Sequence, residues 1–208
     1  MSAMSDINIV YEDGRVMVVE KPAGMLVTPA PGSNHNTLTD HLNKGRVGPA
    51  VHPCHRIDMD TSGLILYAKG KGTQEALMED FKQRRVKKSY IAFVNGRIGN
   101  REGAIELPIE GKRAVTKYRL TEQRKDFAVL DVEPVTGRTN QIRIHLKAAG
   151  HPLVGERKFA FAKDFKLKFR RAALHSHRIE FPHPGTGEMM SFVSPMPDDM
   201  KKFLEENK

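Results

Sequence analysis

His52-Pro53-Cys54-His55-Arg56-Ile57-Asp58-Met59-Asp60-Thr61-Ser62-Gly63-Leu64-Ile65-Leu66-Tyr67-Ala68-Lys69 changes character at its midpoint. Up to Ser62 it is polar and crowded with titratable groups. From Leu64 to Ala68 it is a short apolar run between Gly63 and Lys69-Gly70, the length of a buried strand. The stretch reads as a reactive loop braced by a core strand. Such a support would fix Asp58 and Arg56 in place, as positional chemistry requires. By itself, the polar half could equally be an ordinary charged turn.

Working outward, the strands come in pairs. Residues 7–11 and 15–20 flank Glu12-Asp13-Gly14, a hairpin turn by composition. A second hairpin is expected at 114–122 and 127–134, and a third pair at 174–181 and 188–193. Lys88–Val94 alternates like a strand and stops at Asn95-Gly96. Helices are expected at 37–44 behind a Thr37 cap, at 73–86, at 139–149 before Gly150, and at 198–207 behind Pro197. The 73–86 segment sets acids early and bases late, matching a helix dipole. Pro29 to Asn34 is a loop by composition. Hairpins outnumber strand–helix–strand alternation, so the expected class is α+β, with a mostly antiparallel mixed sheet and flanking helices. One domain is expected over 1–208, with its core at about 7–195 and a terminal helix at 198–207.

Composition narrows the partner. Lys and Arg number 34 against 25 Asp and Glu, a formal charge of +9. That excess points to a polyanion, and nucleic acid comes first. Two basic clusters, Lys82 to Lys88 and Lys163 to Arg171, lie beside aromatics: Phe81 and Tyr90, then Phe161, Phe165 and Phe169. RNA could use that mixture for phosphate contact and stacking. Cys54 is the only cysteine, which excludes an internal disulfide and suits a reducing compartment. No window has the apolar length of a membrane helix. A cytoplasmic protein, monomeric by default, is the expectation. The spacing of His52, Cys54, His55 and Asp58 matches no zinc pattern, so no metal is expected.

Several stretches together resemble the pseudouridine synthases of the RluA type. His55-Arg56-Ile57-Asp58-Met59-Asp60-Thr61-Ser62-Gly63 is similar to that family's His-Arg-Leu-Asp-x-x-Thr-Ser-Gly signature, and Lys21-Pro22-Ala23-Gly24 to its Lys-Pro-x-Gly turn. Lys88 to Gly96 matches a Lys-x-Tyr-x-Ala-x-Val-x-Gly strand. Thr136 to His145 matches Thr-Gly-Arg-Thr-His-Gln-Ile-Arg-x-His. Gly150 to Gly155 and Leu174-His175-Ser176 follow in the family's order. The likeness spans roughly residues 7–195. It departs at Ile57, at Asn140 where histidine is frequent, and at Glu156 and Phe159 where Asp and Tyr are common.

The resemblance implies the pseudouridine synthase fold with a central RNA-binding cleft. It also implies isomerisation of specific uridines in ribosomal or transfer RNA. The reaction breaks a C–N glycosidic bond, turns the uracil and joins C5 to the ribose, with no redox or group transfer, so no cofactor is expected. Asp58 would be the carboxylate acting on the anomeric carbon, in a setting that Arg56, His55 and Arg143 could make positive. Arg143 would pair with it as a two-pronged fork. Tyr90 would stack on the base and exchange a proton. Arg56 would steady a flipped nucleotide, and Leu174 would pack at the site. Arg138, Lys88 and Thr61, in the same motifs, are expected RNA contacts. His55 and Asp60 read as scaffolding. The family's larger members carry a separate N-terminal RNA-binding domain, which this sequence is expected to lack; a compact stem-loop is therefore the expected target. The rival readings are a non-catalytic RNA-binding or remodelling protein on the same fold, and a nucleoside or glycan hydrolase. The first has no need of Asp58. The second lacks tryptophan platforms and a second acid.

Overall fold

A computed structural model of the chain describes residues 7–29, 36–160 and 167–208. Among them are ten strands and four helices. They divide into two compact units, Met1–Val86 with Ile179–Ser194, and Lys87–Arg178 with Pro195–Lys208. The loop expected from Pro29 to Asn34 falls outside the described residues beyond Pro29, as do Phe161, Lys163, Phe165 and Lys166.

In the first unit, β1 (Asn8–Glu12) and β2 (Val16–Lys21) form the expected hairpin, and β2 pairs antiparallel with β4 (Ser62–Lys69). β3 (Val51–Pro53) lies against the end of β4. The register sets Val16 beside Ala68 and Val18 beside Leu66. One face of these strands packs on Leu77 of α2 (Lys71–Lys82) and on Val86. On β4, Tyr67 is fully buried and its hydroxyl meets Thr39 Oγ1 of α1 (Leu38–Asn43) at 3.0 Å. Covered on both faces, β2 and β4 are apolar almost throughout, which is why both are legible as continuous runs. β10 (Met189–Val193) pairs with β9 (Leu174–Pro182), a strand of which the residues from Ile179 onward belong to this unit.

α1 begins where the Thr37 cap predicts. Thr37 Oγ1 accepts from the Asp40 amide at 3.2 Å, and the Asp40 carboxylate accepts from the Thr37 amide at 3.0 Å. Thr37 is itself fully buried. Thr37→Ala is expected to destabilise the protein by about 1 kcal/mol. In a chain of this length that lowers the thermal midpoint by about 2–4 °C, readable in a calorimetric scan. α2 differs from the sequence reading. It starts at Lys71 and stops at Lys82, with no acid in its first turn. Arg84 adopts φ 58°, which ends the helical path, so Val86 reaches the core from outside the helix.

In the second unit, β5 (Lys87–Asn95), β8 (Phe127–Pro134), β7 (Thr116–Gln123) and β6 (Glu102–Ile105) pair antiparallel in that order. The four residues of β6 escaped the sequence reading, as did β3. Phe203 of α4 (Asp198–Glu206) enters an aromatic cluster, 5.2 Å from the Phe127 ring and 5.3 Å from the Phe169 ring. This corrects the basic cluster read around Phe169. That ring is core packing, and Arg171 is buried with both its Nε and Nη2 on Asp199, at 2.7 and 3.0 Å. Phe81, in the other cluster, packs on the core and on His55, while Lys82, Arg84, Arg85 and Lys87 remain exposed. The α+β class with a largely antiparallel sheet stands: β1 with β2, both β2 and β3 with β4, β5 with β8, and β7 with both β6 and β8 all run antiparallel.

Candidate active site

Asp58 lies in the loop that feeds β4, in the first unit. It is half-buried, and its backbone carbonyl accepts from the Thr61 amide at 3.1 Å, closing a tight turn. The next carbonyl, of Met59, is held from two sides. Lys21 Nζ donates to it at 2.9 Å and the Gly24 amide at 2.8 Å. Lys21 is 1% exposed and also donates to the carbonyls of Pro22 at 2.8 Å and Met25 at 2.7 Å. An ammonium has three N–H donors, and here three carbonyls take them. The β2–β4 register makes this possible by setting Lys21 opposite Gly63, at the point where the loop enters the sheet. Thus the Lys-Pro-Ala-Gly turn is riveted to the peptide that follows Asp58.

Around this anchor the other loop residues separate by role. Arg56 is exposed and has no ion-pair partner among the described residues, so its guanidinium faces solvent. Thr61 is 1% exposed, and its Oγ1 finds no hydrogen-bond partner among the described residues. His55 Nε2 accepts from the Leu66 amide at 3.1 Å. That nitrogen therefore carries no proton, so His55 is neutral and adds no positive charge near Asp58. This departs from the sequence reading, which counted His55 among the positive groups around Asp58. Cys54 is 3% exposed, and burial pushes its thiol up to about 12, so it is a core residue.

The second unit carries Tyr90, Lys88, Leu174, Arg138 and Arg143. Tyr90, on β5 opposite Val132, is 5% exposed, and Leu174 opens β9 at 3%. Lys88 is half-buried, and burial lowers its pKa to about 8. Arg138 is exposed and donates from Nε to the Arg113 carbonyl at 3.1 Å. Its loop is docked by Gln141, whose buried amide donates to the Val115 carbonyl at 2.9 Å and accepts from Thr136 Oγ1 at 2.7 Å.

Arg143 lies on α3 (Gln141–Ala148) and is 8% exposed. Its Nε and Nη2 donate to the two oxygens of Glu156 at 2.8 and 2.7 Å, the parallel fork geometry of strong charge-assisted pairs. Its Nη1 donates to Asn140 Oδ1 at 3.0 Å, and its guanidinium lies 5.0 Å from the centre of the Phe159 ring. Burial pulls the Glu156 carboxyl upward, but the Arg143 guanidinium and the Lys158 and Phe159 amides outweigh it and hold it below the ordinary carboxylate value. The sequence reading assigned no role to Glu156, the partner in this fork. A carboxylate buried in an otherwise apolar segment, Pro152 to Glu156, was the available signal.

Comparison with known proteins gives the family. A family model described as RNA pseudouridylate synthase matches residues 15–148. The uncharacterized RNA pseudouridine synthase YlyB of Bacillus subtilis is 38% identical, over 96% of this chain and 72% of its own length. Ribosomal large subunit pseudouridine synthase D of Nitrosomonas europaea is 34% identical, over 96% of this chain and 64% of its own. Among solved structures, human RNA pseudouridylate synthase domain containing 1 aligns with a TM-score of 0.76 at 26% identity, over 91% of this chain and 83% of that one. Human RNA pseudouridylate synthase domain containing 4 shares the fold with a TM-score of 0.81 at 22% identity, over 95% and 92%. With a family model over most of its length and relatives above 30% identity, the chain belongs to the RNA pseudouridylate synthase family.

Proposed function

We propose that this pseudouridine synthase modifies uridine in ribosomal RNA, with Asp58 as the reacting carboxylate, and that residues 1–208 work as one catalytic domain. The observation that carries the assignment of Asp58 is the double anchoring of the Met59 carbonyl by Lys21 and Gly24, which holds the loop backbone beside a half-buried carboxylate. As the C1′–N1 bond breaks, positive character builds at C1′ and the carboxylate attacks or stabilises it. The uracil turns, C5 bonds to C1′, the C5 proton leaves and N1 gains one. The phenol of Tyr90 is the group proposed to stack on the base and exchange that proton. Arg143 is assigned to the aspartate's side of the reaction. A paired uridine must leave its stack to reach a carboxylate, and the solvent-facing guanidinium of Arg56 suits the vacated space. Thr61, Lys88, Arg138 and Leu174 are assigned to substrate contact. The isomerisation balances without an external electron or group donor, so no cofactor enters it. The enzyme is read as a cytoplasmic monomer acting on a compact stem-loop.

Ribosomal RNA is chosen over transfer RNA because the Nitrosomonas relative, and those of Zymomonas mobilis and Haemophilus influenzae at 34% and 33% identity, are named for the large ribosomal subunit. Mapping pseudouridine in RNA from cells with and without the gene tests this. One or a few ribosomal signals should vanish on deletion and return with the wild-type gene. Loss confined to transfer RNA would overturn the target, and unchanged maps in both would overturn the assignment.

A further inference from the structure

Asn140, Glu156 and Phe159 are three of the four positions where the sequence departs from the family pattern, Ile57 being the other, and all three touch Arg143. We propose that Glu156 is a positioning residue for the isomerisation, acting through Arg143. The inference rests on Arg143 taking part in the reaction as assigned above.

The two oxygens of Glu156 divide the work. Oε1 accepts from the amides of Arg157, Lys158 and Phe159, at 3.0, 2.8 and 3.3 Å, and from Arg143 Nη2. Oε2 has one hydrogen-bond partner among the described residues, Arg143 Nε. The first oxygen alone would fold the 156–159 turn. The second serves only the arginine. Glu156 is fully buried, and a buried carboxylate is costly unless it is paired and hydrogen-bonded. Folding the turn required an acceptor there, but not a charge.

The hold on Arg143 is complete in direction. Two parallel bonds to Glu156 fix rotation of the guanidinium in its plane, Asn140 fixes its far edge, and the Phe159 ring fixes its tilt. Asn140 can aim back along the helix because it sits before α3 at φ 54°, a left-handed conformation that asparagine tolerates. The platform below is rigid too. Gly155 has φ +74°, and a Cβ there would lie 2.1 Å from the Arg171 carbonyl oxygen, so backbone meets backbone. Arg171 is in turn locked to Asp199 of α4. A guanidinium fixed before RNA arrives needs no reorganisation during reaction, and small misplacements of such groups cost rate steeply.

The test separates holding the turn from aiming the arginine. Glu156→Gln keeps an oxygen for the three amides but sets an NH2 against Arg143 Nε, donor against donor. Single-turnover rate, RNA affinity and thermal midpoint are measured for E156Q, E156D, R143K and the E156Q/R143K double variant on bulk ribosomal RNA lacking the modification. Measured well below the thermal transition, the expected result is a rate loss for E156Q on the order of 10- to 100-fold, with RNA affinity near wild type and a lowered midpoint, because a buried guanidinium loses its charge partner. Partial recovery is expected in E156D, which restores the charge on a shorter arm. E156Q should add no further loss to R143K, because the two act as one unit. A wild-type rate for E156Q beside a slow R143K would overturn the inference alone, as would fully additive losses in the double variant. A wild-type rate for R143K would instead remove the role of Arg143 on which the inference stands. Should E156Q lose its folded transition, Phe159→Leu replaces it, removing the ring beneath the guanidinium without stranding a polar group. A several-fold rate loss is then expected, and an unchanged rate would overturn the inference.

Discussion

Asp58→Asn is expected to lower the single-turnover rate of pseudouridine formation by at least roughly three orders of magnitude, while RNA affinity and the thermal midpoint change little. Asparagine keeps the shape of the side chain but neither carries the charge that stabilises a cationic anomeric carbon nor attacks it well. The backbone around it should hold, since the turn is closed by the Asp58 carbonyl and the Thr61 amide, and the next peptide by Lys21 and Gly24. None of those bonds uses the carboxylate. The measurement is pseudouridine yield against time with enzyme in excess, beside a binding isotherm and a thermal scan of the same preparation. Turnover at the wild-type rate would sink the mechanism, whereas an equal loss of binding and of midpoint would recast Asp58 as part of the scaffold.

The role expected of Asp58 came from the family resemblance; what the residues themselves showed is that its loop runs directly into a strand buried on both faces, and such strands announce themselves as unbroken apolar runs. Val16 to Val19 and Leu64 to Ala68 are fully buried and were legible for that reason. β3 and β6 were not. One has three residues, including Pro53, and the other reads Glu-Gly-Ala-Ile, too short and mixed to show a period of two. The end of α2 was misread because Val86 is apolar at a helical spacing, and only the backbone at Arg84 shows that the helix has already stopped. Long-range polar bonds are the hardest class. Glu156 and Arg143 are thirteen residues apart, and Lys21 and Met59 thirty-eight. No periodicity links either pair, and one partner of Lys21 is a carbonyl that every residue type possesses. Part of the second basic cluster failed differently: composition placed Phe169 and Arg171 on a surface, while the aromatic cluster around Phe203 and the carboxylate of Asp199 draw both inward.

Lys21→Met should be the most destabilising of these substitutions, by about 3–5 kcal/mol. Methionine fits the volume of the lysine stem but offers no donor. The carbonyls of Pro22 and Met25 then lose the ammonium, and the Met59 carbonyl keeps only the Gly24 amide. Stranding a buried acceptor costs about 1–3 kcal/mol each. In a chain of this length the sum lowers the midpoint by on the order of 10 °C. Lys21→Arg should not rescue it, because a planar fork cannot point three donors at carbonyls gathered around one nitrogen. Activity should fall further than stability. At a temperature where the variant is still fully folded, the tie between the Lys-Pro-Ala-Gly turn and the peptide after Asp58 is already cut, so the carboxylate is carried by a looser loop and single-turnover rate drops while RNA affinity holds. A Lys21→Met protein with the wild-type midpoint would show that the ammonium is not the rivet. A lowered midpoint with an unchanged rate, measured well below the transition, would show that the rivet serves the fold and leaves the aim of Asp58 to other bonds.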